Sequence, residues 1–167
     1  MWIEKLKGDG VALPPKVSNK AIALAWVGSC LAIASIIGLQ GELGFILLLS
    51  SFGASCCLVF GFPDVPFAQP RNVICGHFFT SLTGLTFLSL FGDHWWALSM
   101  AVGTGIALMM ATRTVHPPAG SNPIVIFTLK QSWTFLFFPT FFGACFLVFI
   151  GLIYNNITRK EKYPKYW

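Results

Sequence analysis

Two stretches of this chain combine residues able to hold or move charge with residues that interrupt a helix. The first reads Pro63-Asp64-Val65-Pro66-Phe67-Ala68-Gln69-Pro70-Arg71-Asn72, and the second Arg113-Thr114-Val115-His116-Pro117-Pro118-Ala119-Gly120-Ser121-Asn122-Pro123. Arg71 offers a planar fork of donors suited to an oxyanion. Pro70 before it and Asn72 after it suit a helix start capped by Asn72 or Gln69. The free amides and positive dipole end of that helix would then point where Arg71 points. The competing role for Arg71 is an orientation residue that snorkels to the headgroups, which is the first expectation for Arg113. A second helix start is expected near Ala119-Gly120-Ser121. His116 is either a structural imidazole serving backbone left open by Pro117 and Pro118, or an anion donor or proton relay, because its charge changes near neutral pH. His77 lies within two turns of Arg71 inside an apolar run, as a functional candidate or a satisfied core residue. Ser55 either adds a hydroxyl to such a site or bonds back to its own helix.

The elements that must position these residues are membrane helices. The chain has 167 residues, 55% of them hydrophobic and only 10% charged, with mean hydropathy +0.71. A soluble domain would carry about a quarter charged residues. Here the charges gather at the two ends and between apolar runs, as a bilayer demands. The net charge of +5 is a topology signal, and there is no polar face on which nucleic acid could lie. Five runs approach the bilayer length of about 20 residues: Ala21–Leu39, Phe45–Phe62, Val73–Phe91, Trp95–Thr112 and Trp133–Tyr154. The expected fold is all-α, a polytopic bundle of about five spans with two broken or re-entrant segments. Residues 1–20 form a polar N-terminal segment, 21–154 the transmembrane domain and 155–167 a polar tail. Met1–Lys20 does not resemble a cleavable signal peptide, so the first run is expected to stay as an anchor.

The short turns Gln40–Gly44 and Gly92–His94 carry Glu42 and Asp93 but no Lys or Arg. Lys5, Lys7, Lys16, Lys20, Arg71, Arg113 and Lys130 fall on the other side, which puts the N-terminus in the cytoplasm. With five spans, however, the basic tail of Arg159, Lys160, Lys162 and Lys165 would lie outside. The apolar stub Ile124–Leu129 is too short to span, and a half-helix that dips in and returns is expected there. A shift of 50 residues aligns Gly53 with Gly103, Val65 with Val115 and Asn72 with Asn122. Gly53, Cys57 and Gly61, like Gly103, Ala107 and Ala111, are spaced for close helix approach. A duplication would give two copies of the same orientation. The odd cysteine count, without CxxC spacing, indicates neither disulfides nor zinc.

The run from Thr114 to Pro123, and Ala68-Gln69-Pro70-Arg71-Asn72-Val73-Ile74-Cys75-Gly76-His77, together resemble the two signatures of the HPP family of small integral membrane proteins. Ser51-Phe52-Gly53-Ala54-Ser55 and Tyr163-Pro164-Lys165-Tyr166-Trp167 are similar to its pattern as well. Members in cyanobacteria and chloroplasts are known as nitrite transporters, so the resemblance implies small-anion transport, nitrite above others. On that expectation Arg71, with Gln69 and Asn72 at the helix start, holds the anion. His116, Ser121 and Asn122 line the opposite wall, and Ser55 and His77 are further contacts. Pro70, Pro117, Pro118 and Gly120 shape the backbone. No GxSxG, HExxH or P-loop is present, so neither catalysis nor ATP-driven pumping by this chain is expected. No metal or cofactor is expected either, since the spacing of His77, His116 and Cys75 fits no zinc pattern. Five short helices make a thin wall, which points to a homo-oligomer in the lipid bilayer, with a bacterial inner membrane as the expected setting. Passage of another small solute or a metal ion, and a non-transporting scaffold or sensor, stand as alternatives.

Overall fold

The computed structural model describes residues 2–7 and 9–167, and among them it is helical with no strand. Six helices build the bundle: α1 Asn19–Leu43, α2 Phe52–Gly61, α3 Pro70–Phe91, α4 Trp95–Ala111, α5 Asn122–Leu129 and α6 Leu136–Thr158. Of these, α1, α3 and α6 are long and apolar enough to cross a membrane. The 17 residues of α4 reach about 25 Å. The other two are half-length and are completed by non-helical chain. Residues 44–51 lead into α2, and residues 112–121 lead into α5 through a 3-10 turn at Pro117–Ser121. Gly44, at φ 69°, ends α1, and the Gln40 side chain just before it accepts the N–H groups of Leu47 at 3.0 Å and Leu48 at 3.3 Å. That bond supplies the partner an extended backbone needs in apolar surroundings.

The chain passes between two faces of the bundle six times. Lys130, after α5, forms an ion pair with Asp93, in the turn between α3 and α4. At the far end of α4, Thr112 O accepts from Arg71 Nη2 at 3.2 Å. Residues 112–130 therefore run from the Arg71 face to the Asp93 face. The stub expected to dip and return crosses instead, because eight helical residues plus the 3-10 turn cover the distance that the stub alone cannot. This also corrects the placing of Lys130, which lies opposite Arg71 and Arg113. The sixth passage brings the tail back to the face where α1 starts, so its basic residues join Lys20, Arg71 and Arg113. The outside tail that five spans would require does not arise.

α3 is the hub, packed against α4, α5, α6 and the 3-10 turn. The close approaches use glycines other than those picked out by spacing. A Cβ on Gly105 would stand 3.0 Å from Thr83 Oγ1, on Gly84 2.9 Å from Pro123 Cα, and on Gly143 2.5 Å from Leu47 O. Gly53, Cys57, Gly103, Ala107 and Ala111 instead face outward. The two broken connections are alike in conformation, as a duplication would have them. Val65 is extended and leads into a 3-10 turn at Pro66–Ala68 and then α3. His116 is extended and leads into Pro117–Ser121 and then α5. α2 and α4 run one way, and α3 and α5 the other.

The tail is latched to the start of α3. Buried Tyr163 donates its hydroxyl to Ala68 O at 2.7 Å, and Lys165 N–H donates to Gln69 Oε1 at 2.7 Å. Asp64 pairs with Arg159 and, at 3.0 Å, with Lys165 Nζ. Burial alone would raise the Asp64 carboxyl, but hydrogen bonds and charge from Lys165 and Arg159 outweigh it and hold the group below its ordinary range. A carboxyl depressed by folding stabilises above its unfolded pKa of about 4, and that contribution fades as pH falls through the lower folded value. Acidification below about pH 4 is expected to loosen the tail. Cleavage of a C-terminal tag by an acid-active protease should rise there, and Asp64→Asn should be cleaved at a rate that no longer changes across that window. A wild-type tail equally protected throughout would remove this pair from the latch.

Six passages also fix the relation of the two ends. Tags at the N- and C-termini are expected to react with an impermeant reagent from the same side of a sealed vesicle. Reaction from opposite sides would eliminate the crossing of residues 112–130.

Candidate functional site: a closed polar cluster between two hollows

The two half-length helices begin beside each other in the middle of the bundle. Ser51, just before α2, donates its hydroxyl to Oδ1 of Asn122, the first residue of α5, at 3.0 Å. The Asn122 amide nitrogen in turn lies 3.0 Å from His77 Nδ1, 3.3 Å from His77 O and 3.0 Å from Ser81 Oγ. Ser81 continues to Thr140 of α6 at 3.0 Å. Ser51 and Ser55 are four apart on α2, and His77 and Ser81 four apart on α3, so each pair presents one face of its helix. Ser55, His77, Ser81, His116, Asn122 and Thr140 are all fully buried.

Ser55 bridges the two histidines. Its Oγ lies 3.0 Å from His77 Nε2 and 2.8 Å from His116 Nε2. The partners on the far side of each ring set the proton positions. His116 Nδ1 sits 2.7 Å from Phe67 O, which can only accept, so Nδ1 carries the hydrogen and Nε2 of the neutral ring is a bare acceptor. The Asn122 N–H donates to His77 Nδ1, so the neutral His77 carries its hydrogen on Nε2. One directed chain follows: Asn122 N–H to His77, His77 Nε2–H to Ser55, Ser55 O–H to His116, His116 Nδ1–H to Phe67. The alternative acceptor for Ser55, Ser51 O on its own helix, is longer at 3.2 Å. Gly76 makes the arrangement possible, since a Cβ there would stand 2.8 Å from His116 Cβ. Phe52 closes over His77 edge-on at 5.2 Å.

Arg71 does not reach this cluster. It is exposed in the first turn of α3, and the six residues to His77 correspond to about 9 Å along the axis. It lines a separate hollow of about 320 Å³ with Arg113 and Tyr166. Arg113 holds a left-handed φ of 56°, a conformation that costs a non-glycine residue about 1–2 kcal/mol. Neither arginine pairs with a carboxylate among the described residues. On the opposite face a second hollow, about 700 Å³, is lined mostly by apolar side chains such as Phe45, Leu48 and Phe138, with Ser50, Gln131 and Thr134 among them. Ser50 and Pro139 of its lining precede Ser51 and Thr140 of the cluster in the chain. Two openings on opposite faces are thus separated by a closed polar core.

Of the residues expected to meet in one site, Ser55, His77, His116 and Asn122 do meet. Gln69 and Asn72 are buried but committed elsewhere. Gln69 Nε2 donates to Pro63 O at 2.9 Å and Val65 O at 3.0 Å, and it makes no side-chain cap on α3. Asn72 donates to Val115 O at 2.9 Å and accepts from Tyr166 OH at 3.2 Å, tying both broken connections to the tail. Ser121 bonds Pro118 O within its own turn at 2.9 Å. Pro70 and Pro117 occupy the first positions of their helices, with Pro118 next, and a Cβ on Gly120 would meet open space. Ser51, Ser81, Thr140 and Tyr166 join the two regions without having been expected there, and Arg113, expected only as an orientation residue, joins Arg71 at its hollow. The four-residue spacing of Ser51 with Ser55, and of His77 with Ser81, was the available signal.

Removing Asn122 leaves Ser51, His77 and Ser81 short of partners in a closed core, where an unmet polar group costs about 1–3 kcal/mol. Asn122→Ala is expected to lower the melting temperature in detergent sharply, and Ser121→Ala hardly at all. Equal effects would mean that Asn122 is not the tie between the half-helices.

Comparisons with known proteins agree with this architecture. The chain matches the HPP transmembrane-region family over residues 14–164. It is similar to two transmembrane proteins of Dictyostelium discoideum. One is 36% identical over 72% of this chain and 45% of the relative, and the other 32% identical over 99% of this chain and 57% of the relative. The chain therefore spans about half the length of the curated relatives it matches. No solved structure matches it. A match over residues 14–164, nearly the full length, makes this chain a member of the HPP family of transmembrane proteins.

Proposed function

We propose that this membrane protein, whose family is consistent with transport, passes a small inorganic anion, nitrite first among the candidates. The observation that carries this is the pair of hollows on opposite faces with a closed, fully hydrogen-bonded polar cluster between them. At the mouth, Arg71 and Arg113 face one hollow without a carboxylate partner, which favours anions over cations. At the centre, the backbone amides of two helix starts add positive potential. The association of the HPP signatures with nitrite transporters supplies the particular anion. The Arg71 face is assigned to the cytoplasm, because Lys20, Arg71, Arg113, Arg159 and Lys165 share it. A homo-oligomer belongs to the proposal as well: the outward stripes Gly53–Cys57 and Gly103–Ala107–Ala111 suit helix contact between copies.

Nitrite flux into proteoliposomes tests this. A guanidinium that binds the anion by a charge-assisted hydrogen bond contributes about 1.5–3 kcal/mol, or roughly tenfold to hundredfold in affinity. Arg71→Lys keeps the charge but loses the fork, and is expected to raise the half-saturating concentration by about tenfold or more. Arg113→Lys should act in the same direction, since both line one hollow. Unchanged flux in an Arg71→Ala, Arg113→Ala double variant would remove the mouth from the pathway. Cation flux in place of nitrite flux would favour passage of a different solute. No flux from correctly folded protein would favour a scaffold or sensor.

A further inference from the structure

We infer that the anion crosses together with one proton, and that this proton moves along His77, Ser55 and His116. The inference rests on the anion-transport reading and adds what must accompany the anion. At the centre no side chain carries a permanent charge. A bare anion taken into that closed core would lose its hydration with only neutral donors in return, a penalty of several kcal/mol. A proton on the histidine pair removes the mismatch, because anion and imidazolium then enter as a neutral unit.

The geometry provides the track. In the resting chain every link already points from Asn122 toward Phe67, through contacts of 3.0, 3.0, 2.8 and 2.7 Å. When the Asn122 amide turns aside, a proton entering from the Lys130 face can add to His77 Nδ1. His77 then passes its Nε2 hydrogen to Ser55 Oγ, while Ser55 passes its own hydrogen to His116 Nε2. His77 is left neutral and His116 becomes the cation. His116 releases its Nδ1 hydrogen on the Phe67 side, toward the face of Arg71. One proton enters, one leaves, and no electrons move. Rotation of the Ser55 hydroxyl and tautomer exchange restore the starting state. Other groups do not compete for the track. The carboxylates, arginines and lysine of the packed elements stand at their ends, as Asp64, Asp93, Arg71, Arg113, Lys130 and Arg159. Within them lie only the thiols of Cys56, Cys57, Cys75 and Cys145 and the phenol of Tyr154, while the imidazole nitrogens are occupied by Ser55, Asn122 and Phe67.

The test uses wild-type proteoliposomes with an interior pH dye and a potassium–valinomycin voltage clamp. Rates in protein-free vesicles are subtracted, because nitrous acid crosses bare lipid. The expected result is nitrite uptake that acidifies the lumen one proton per anion, quickens when the lumen is alkaline and ignores the imposed voltage. Ser55→Ala, which keeps the small buried volume but cuts the bridge, should slow the protein-dependent rate by at least about tenfold. Nitrite uptake driven by voltage, with no proton entering, would overturn the inference and leave the anion-transport reading standing. Full proton-coupled uptake in Ser55→Ala would overturn the track. Absence of any nitrite uptake above protein-free vesicles would overturn both.

Discussion

A helix that starts in the middle of an apolar bundle exposes amides that lipid cannot satisfy. Two helices start that way here, and the side chain of Asn122 ties them together. Its carbonyl takes the Ser51 hydroxyl from one start, and its amide reaches His77 and Ser81 on α3. Much else follows from that tie. α3 must bring polar residues inward at its midpoint, Gly76 must lack a side chain so that His116 can approach, and Phe52 must cover the rings. The cluster holds the two starts together through side chains, and every buried polar side-chain atom in it has a partner.

Charge is arranged by the same economy. Guanidinium groups stay at the face, where water screens them, and the closed centre holds only groups that can be neutral. On the anion-transport proposal, separating recognition at the mouth from passage at the centre would let the protein attract an anion strongly without trapping it midway. The left-handed turn at Arg113 is the one place where backbone strain is spent outside glycine beside that mouth, and it aims a second guanidinium at the hollow that Arg71 already lines.

Much of this was legible in the residues. Apolar runs marked the long helices, and prolines beside Arg71 and His116 marked the two breaks. Polar residues inside apolar runs marked Ser55 and His77, the second break marked His116 and Asn122, and the four do converge. The sixth passage was hidden because a length threshold treats α5 as too short, whereas a 3-10 turn rises further per residue and completes the crossing. The separation of Arg71 from the cluster was hidden for another reason: neighbours in a motif can diverge by a full turn and more along a helix. Gln69 and Asn72 looked like ligands, but they serve as clamps, since the partners that occupy them come from Lys165 and Tyr166 about a hundred residues away. Spacing of small residues identified helix faces without saying whether the facing partner belongs to the same chain.

α1 stands apart from this interlocked interior. Along its 25 residues only Gly28, Ala32 and Ile36 are buried, four apart on one stripe, and Gly28 is where Phe60 and Tyr154 press in. Selection therefore sees two very different helices in one chain. Drift on α1 should be nearly free among apolar residues of any shape, provided that stripe stays small, small and branched. α3 has no such latitude, because almost every turn of it answers to a different neighbour. Related sequences should diverge fastest along α1 and slowest along α3, and a chimaera that exchanges α1 between distant relatives should need matching only at those three positions and at Gln40.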